Sequence, residues 1–144
     1  MRVGRFLSAS QVSASGLSAE RKRMEVVANN IANAHSTRTP DGSAFRRRDI
    51  VFAAAMDSKD PFAANGLHGV KVVSVQEDNS PLPQVYNPGH PDADDKGMVT
   101  MPNVSIPNEM VDMMTASRAY EANLKMLTTF REMAEQTLSL LRAT

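Results

Sequence analysis

The chain has 144 residues, with 16 basic and 16 acidic side chains, no cysteine, no tryptophan and ten methionines. That length allows one ordinary domain, or a small core with helical arms. Zero net charge argues against nucleic-acid binding driven by global charge, and the missing cysteine excludes disulfides, thiolate metal sites and cysteine nucleophiles.

All eight prolines lie between Pro40 and Pro107, so both ends are free of the main helix breaker. At the N-terminus, steps of four and three give Val3, Leu7, Ser10, Ala14, Leu17, Arg21, Met24, Ala28 and Ile31, seven of nine apolar. This is the spacing of a helix face that meets another helix, predicted over roughly residues 5–34 and about 45 Å long. Gly16 weakens it by about 1 kcal/mol relative to alanine without breaking it. The start of the chain faintly imitates a secretory signal. Ser8, Ser10, Ser13, Ser15 and Ser18 make the uncharged run too polar for one, and the segment reads as mature structure. No stretch reaches the ~18 apolar residues that span a bilayer.

Asn29, Asn30 and Asn33 crowd the end of this helix. Asparagine there either takes left-handed geometry or bonds the orphan carbonyls, which ends the helix and fixes the chain's exit angle. Thr39-Pro40-Asp41-Gly42 is a turn, because proline presets φ and glycine supplies a positive φ. Phe45 to Met56 reads as a strand led in by Arg46, Arg47 and Arg48, a basic run expected to be a solvated strand edge. Residues 57–68 read as a variable loop with no assigned role. Gly69 to Glu77 is a valine-rich strand, with shorter strands at Gln84–Tyr86 and Met98–Met101. Pro81, Pro83, Pro88, Pro91 and Pro102 make the rest winding loop, so the middle is a small insert of two or three hairpin-like strands.

Asp92-Ala93-Asp94-Asp95-Lys96-Gly97 has an acidic spacing that invites calcium. An EF-hand loop wants an acid or amide where Lys96 stands and a glutamate where Asn103 stands, so a solvated turn is the reading. His35, His68 and His90 are scattered, with no zinc spacing, and no nucleophile elbow, phosphate loop or dinucleotide fingerprint occurs. No cofactor or metal is expected and no enzyme is indicated. Asn103-Val104-Ser105 fits a glycosylation sequon that carries no weight without a secretory context.

From Pro107 the helical grammar returns. Met110, Met113, Ser117, Tyr120, Leu124, Leu127, Arg131, Ala134, Leu138 and Leu141 form a stripe with eight of ten apolar, over roughly residues 107–142. Both helices also carry apolar residues off the stripe, including Val12, Val26, Val27, Met114, Met126 and Met133. A solvated hairpin would be polar there, so these ends want neighbours. Charge is polarised as well. Residues 1–50 hold nine basic and four acidic side chains, and residues 51–144 hold seven and twelve, which suits pairing within the chain or with a copy.

The fold class is therefore α+β, with long N- and C-terminal helices packed as a coiled-coil-like pair around a small β-rich insert. Residues 1–35 and 107–144 form the helical assembly core and 36–106 the insert. The residues assigned to subunit assembly and helix pairing are Leu17, Met24, Asn30, Ile31, Asn33, Met110, Met113, Tyr120, Asn123, Leu124 and Leu127.

Ser15–Gly42 (SGLSAERKRMEVVANNIANAHSTRTPDG) resembles the N-terminal signature of flagellar basal-body rod and hook proteins, and Glu109–Leu127 (EMVDMMTASRAYEANLKML) resembles their C-terminal one. Val85–Met110 is similar to the short proximal-rod subunit, the FlgC type. The resemblance implies a structural subunit that self-assembles through its terminal helices into a helical tube that transmits torque. It also implies export through the flagellar type III apparatus with no cleaved signal peptide, and assembly in the periplasm near peptidoglycan. Implied partners are other rod subunits and further copies of the chain, with no nucleic acid and no membrane span. The competing function class is a soluble helical adaptor or export chaperone that binds partner helices reversibly.

Overall fold

A computed structural model describes residues 3–55 and 69–142, with side chains over 9–55 and 69–140. The loop assigned to 57–68 and the strand end at Met56 lie outside the described residues, as do the side chains of Val3, Leu7 and Leu141. The elements in chain order are α1 (Val3–Ala32), β1 (Arg48–Ala54), β2 (Val70–Glu77), β3 (Gln84–Tyr86), β4 (Met98–Thr100) and α2 (Ile106–Arg142). The architecture is α+β as expected, two long helices with strands between them. The strands form two two-stranded sheets, β1 with β2 and β3 with β4. Among the described residues there are four strands, one in each of the four segments read as strands, in an insert expected to hold two or three.

The chain divides into two compact units, each drawing on both helices and on the strands. The first comprises Met1–Lys22, Phe52–Val73 and Thr115–Thr144. In it Ser13, Ala19 and Ala116 are buried. The Ser15 hydroxyl donates to the Val12 carbonyl at 2.7 Å and accepts from the Val70 N–H at 3.0 Å, tying α1 to the start of β2. Ser15 lies so close to Gly69 that a side chain at 69 would collide with it. Glycine is required there for close approach.

The second unit comprises Arg23–Val51 and Ser74–Met114. Its buried apolar side chains are Val26, Val27, Ala34, Ala44, Phe45 and Val99. Arg23 pairs with Asp112 at 3.6 Å and Asn30 bonds Glu109 at 2.9 Å, so the end of α1 runs antiparallel to the start of α2. The expected turn at 39–42 is present: Gly42 donates to the Thr39 carbonyl at 2.8 Å and holds φ at +80°. β3 and β4 are antiparallel, with Val85 opposite Val99, and the free edge of β3 is bounded by Pro83 and Pro88. Gly97, at φ +74°, closes the turn before β4 and lies against Tyr86 and Pro88.

The buried side of α1 differs in phase from the apolar stripe. Ser13, Ala19, Val26, Val27, Asn30 and Ala34 are buried, while Ala14, Arg21 and Ala28 of the stripe are exposed. In α2 the inner line runs through Glu109, Met113, Ala116, Tyr120, Asn123 and Leu127, sharing alternate positions with the stripe. The reason is chemical: the inner line includes polar and small residues that a hydrophobic count passes over.

Candidate functional site

Two features of the helices stand out, a buried polar clamp and an exposed apolar face. The clamp centres on Asn30 and Glu109, both 0% exposed. Position 30 falls in the last turn of α1 and position 109 in the first turn of α2, where a carboxylate is favoured by the helix dipole. Ser105 caps α2, its carbonyl taking the Glu109 N–H at 3.0 Å. The Asn30 amide accepts the Arg48 N–H at 2.9 Å and donates to the Arg48 carbonyl at 2.8 Å, a side-chain imitation of a strand pairing at the start of β1. The same nitrogen donates to Glu109 Oε2 at 2.9 Å.

Arg47 completes the clamp. Its Nε donates to Glu109 Oε1 at 2.6 Å, and its other nitrogens reach Asp112 at 3.4 Å and Asp49 at 3.5 Å. Partial burial pulls the guanidinium pKa down, but the hydrogen bond to Glu109 and the charges of Glu109, Asp49 and Asp112 outweigh that, leaving it above its ordinary value. The backbone of Arg47 is held too, its N–H by Asn103 Oδ1 at 2.8 Å and its carbonyl by the Asp78 N–H at 2.7 Å. Asn103 in turn donates to the Asp78 carbonyl at 3.1 Å. A buried charge with this many partners is fixed in place, because losing any one leaves a desolvated group. The clamp holds; it has no free nucleophile or base aimed at a cavity.

The exposed face belongs to α2. Met110, Met114 and Leu124 are 55%, 53% and 46% exposed, and Met126, Leu138 and Leu140 are also open. Apolar groups at helical spacing with this exposure mark a surface that other protein covers, and methionine packs adaptably against irregular partners.

The residues assigned from sequence fall into three groups. Asn30 is buried in the clamp. Leu17, Met24, Ile31, Asn33, Met113, Tyr120, Asn123 and Leu127 are half-buried, and Met110 and Leu124 face out. Asn33 ends α1 through its amide, donating to the Asn29 carbonyl at 2.9 Å and accepting from Ser36 Oγ at 3.1 Å. Among the described residues none but glycine takes a positive φ, so the left-handed alternative for these asparagines is not used. Asn123 lies against Gly16, within 3.2 Å of where a side chain at 16 would begin, which gives that glycine its purpose.

Residues 11–38 match the flagella basal body rod protein family, and residues 95–140 match the C-terminal region of the flagellar basal body rod FlgEFG proteins. The FlgC basal-body rod protein of Borreliella burgdorferi is 44% identical over 149 residues, covering 95% of this chain and 98% of its own. Its counterpart in Escherichia coli O6:H1 is 44% identical over 135 residues, covering 94% and 97%. That of Agrobacterium fabrum is 39% identical over 137 residues, covering 94% and 95%. The chain belongs to the FlgC family of flagellar basal-body rod proteins.

It is a structural rod subunit of the basal body, not an enzyme, and it assembles with other rod components. In this rod subunit the matched segments carry Asn30 on one side of the clamp and Glu109 and Asp112 on the other. Arg47, which joins them, lies between the two matches. Sequence reasoning placed Arg47 on a solvated edge; it is instead the cation that neutralises Glu109. The one signal for it was the pairing of a basic first half with an acidic second half. Asn103, noted as a sequon, has its side-chain amide committed to Arg47 and Asp78. In the acidic turn, Asp94 Oδ1 caps the N–H groups of Lys96 and Met98 at 2.9 and 2.8 Å, and Asp92 takes the Thr37 hydroxyl at 2.7 Å. Those carboxylates are spent on local structure. Among the described residues no three His, Asp or Glu side chains converge on a metal position, and no helix is long and apolar enough to cross a membrane.

Proposed function

We propose that this subunit builds the proximal rod by packing its terminal helices, residues 1–35 and 107–144, into a helical tube that transmits torque. The observation that carries this reading is the row of large apolar side chains left open along α2, from Met110 to Leu140. Burying such side chains against neighbours contributes about 1.5–3 kcal/mol each, enough to order helix ends that are marginal alone. The pairing residues Leu17, Met24, Ile31, Met113, Tyr120, Asn123 and Leu127 would be sealed from solvent in the tube. The insert, 36–106, forms the outer layer, on the side of the peptidoglycan. Export runs through the flagellar type III apparatus without a cleaved signal, and assembly takes place in the periplasm.

Amide hydrogen exchange on the purified monomer and on isolated basal bodies tests the tube. Residues 131–140, all exposed, should exchange fast in the monomer and become protected in the rod. Equal exchange in both would overturn the reading. For export, mass spectrometry of the rod-incorporated chain should find the residues ahead of Ser8 retained.

A further inference from the structure

We propose that Met110 and Met114 form a redox modification site. A hypohalous acid turns their thioethers into sulfoxides in the free subunit, and the modified subunit stays out of the rod until the sulfoxides are reduced. The inference rests on the helix-mediated assembly proposed above and assigns a regulation to that surface.

The distribution of sulfur leads to it. The chain has ten methionines and no cysteine, so no thiol competes for an oxidant and methionine is its only sulfur. Among the described side chains, Met24, Met98, Met101 and Met113 are half-buried, while Met110, Met114, Met126 and Met133 are exposed, all of these on α2. Met110 and Met114 are the most open of the exposed group. They sit one turn apart on one face of the helix, where side chains at that spacing are neighbours. Met113, next to Met114 in sequence, belongs to the inner line and is half-buried, so the chain carries its own comparison within one short stretch.

The step balances with the oxidant alone. With hypochlorous acid, an S–O bond forms from the sulfur lone pair, the O–Cl bond breaks, chloride leaves with the bonding pair and the hydroxyl proton passes to water. Sulfur is oxidised and chlorine is reduced. The product is a polar sulfoxide whose oxygen accepts hydrogen bonds. On the open helix that oxygen faces water, and the monomer keeps its fold. Under an apolar neighbour it is an acceptor without a donor, which opposes burial. The free and assembled states therefore respond differently to the same atom. Sulfoxide reductases return the thioether, so the block is reversible. Once a subunit is incorporated, the burial that excludes water also shields its sulfur from the acid.

The test uses the unsubstituted chain first. Cells building rods receive a sublethal pulse of hypochlorous acid together with an isotope label that marks newly made protein. Exported monomer and basal bodies are then separated and digested for mass spectrometry. In labelled monomer, sulfoxide should be abundant at 110 and 114 and scarce at 113. In labelled rods it should be depleted about tenfold or more, as one buried acceptor left unpaired requires. Monomer without sulfoxide at 110 and 114, or with as much at 113, overturns the site. Equal sulfoxide in monomer and rods overturns the exclusion. Isolated basal bodies treated with the same acid separate the two levels. Met110 and Met114 that oxidise there as fast as in the monomer belong to a face that is never covered, which defeats assembly through it. Slow oxidation there, with equal sulfoxide in the two labelled pools, defeats the redox inference alone. A chain carrying Met110→Leu and Met114→Leu lacks both thioethers at nearly conserved volume. With rods counted against its own untreated culture, it should lose a smaller fraction to the acid than the parent does. Equal fractional losses would place the sensitive step elsewhere and overturn the proposal.

Discussion

At the scale of single residues, the clamp decides how α1, β1 and α2 are fixed within the second unit. Glu109 is fully buried and Arg47 only partly so, hence the two ends of the pair are not equivalent. Arg47→Met leaves a buried carboxylate with Asn30 as its remaining partner and should destabilise by about 3–5 kcal/mol. Glu109→Gln keeps the shape and leaves Arg47 near Asp112 and Asp49, so it should cost less. The double variant should recover part of the sum, a coupling of about 1–3 kcal/mol readable by urea unfolding. Strict additivity would mean the two side chains do not act as a pair. A second residue-scale effect sits at Asp78. The Ser80 hydroxyl and Ser80 N–H both donate to its carboxylate and hold its pKa below the ordinary value. A depressed folded value favours the folded turn above the usual carboxylate range, and that contribution is lost as pH falls through the depressed value. Ser80→Ala removes the hydroxyl, so an NMR titration should find the Asp78 carboxyl raised toward its ordinary value.

At the scale of elements, the helices and strands were legible because periodicity and proline placement report local geometry. α1 and α2 begin and end within two residues of their expected limits, and β3 spans the residues expected of it. β1 starts later than expected because Phe45 is spent on the core, with Arg48 over its ring at 5.7 Å. The phase of the helix seam was not legible. A count of apolar residues selects Leu17, Met24 and Ile31, yet the inner line needs Asn30 and Glu109, whose value depends on partners 79 residues apart. Gly16 shows the same limit. Read alone it is a weak helix residue; in place it makes room for Asn123, whose amide donates to the Ala119 carbonyl at 2.9 Å. Gly16→Ala should therefore gain less than the ~1 kcal/mol that helix propensity predicts, because Asn123 has to shift by a few tenths of an ångström. Combining it with Asn123→Ala frees the space, and the gain from Gly16→Ala, measured in that background by thermal unfolding, should be the larger of the two. A full gain from Gly16→Ala alone would show the contact to be loose.

At the scale of the whole molecule, the helices have an inner line that holds the fold and an outer face that is still open, and mutations should sort accordingly. Leu124 is on the outer face and 46% exposed, so Leu124→Asp removes little packing from the monomer. Its thermal midpoint should stay close to the parent's, as for a surface change of within about 0.5 kcal/mol. In the assembled rod the same aspartate would enter an apolar interface with no cation opposite, a penalty of several kcal/mol once water is excluded. Asp95 is also exposed, but in the acidic turn and not on a helix. Asp95→Ala should leave both stability and assembly unchanged. Cells carrying Leu124→Asp should accumulate exported monomer, form few rods and swim poorly, while cells carrying Asp95→Ala swim normally. Circular dichroism of the two monomers must accompany the motility assay, since a misfolded Leu124→Asp chain would give the same loss for a different reason. The opposite ranking, rods blocked by Asp95→Ala and tolerant of Leu124→Asp, would move the assembly surface from α2 to the insert.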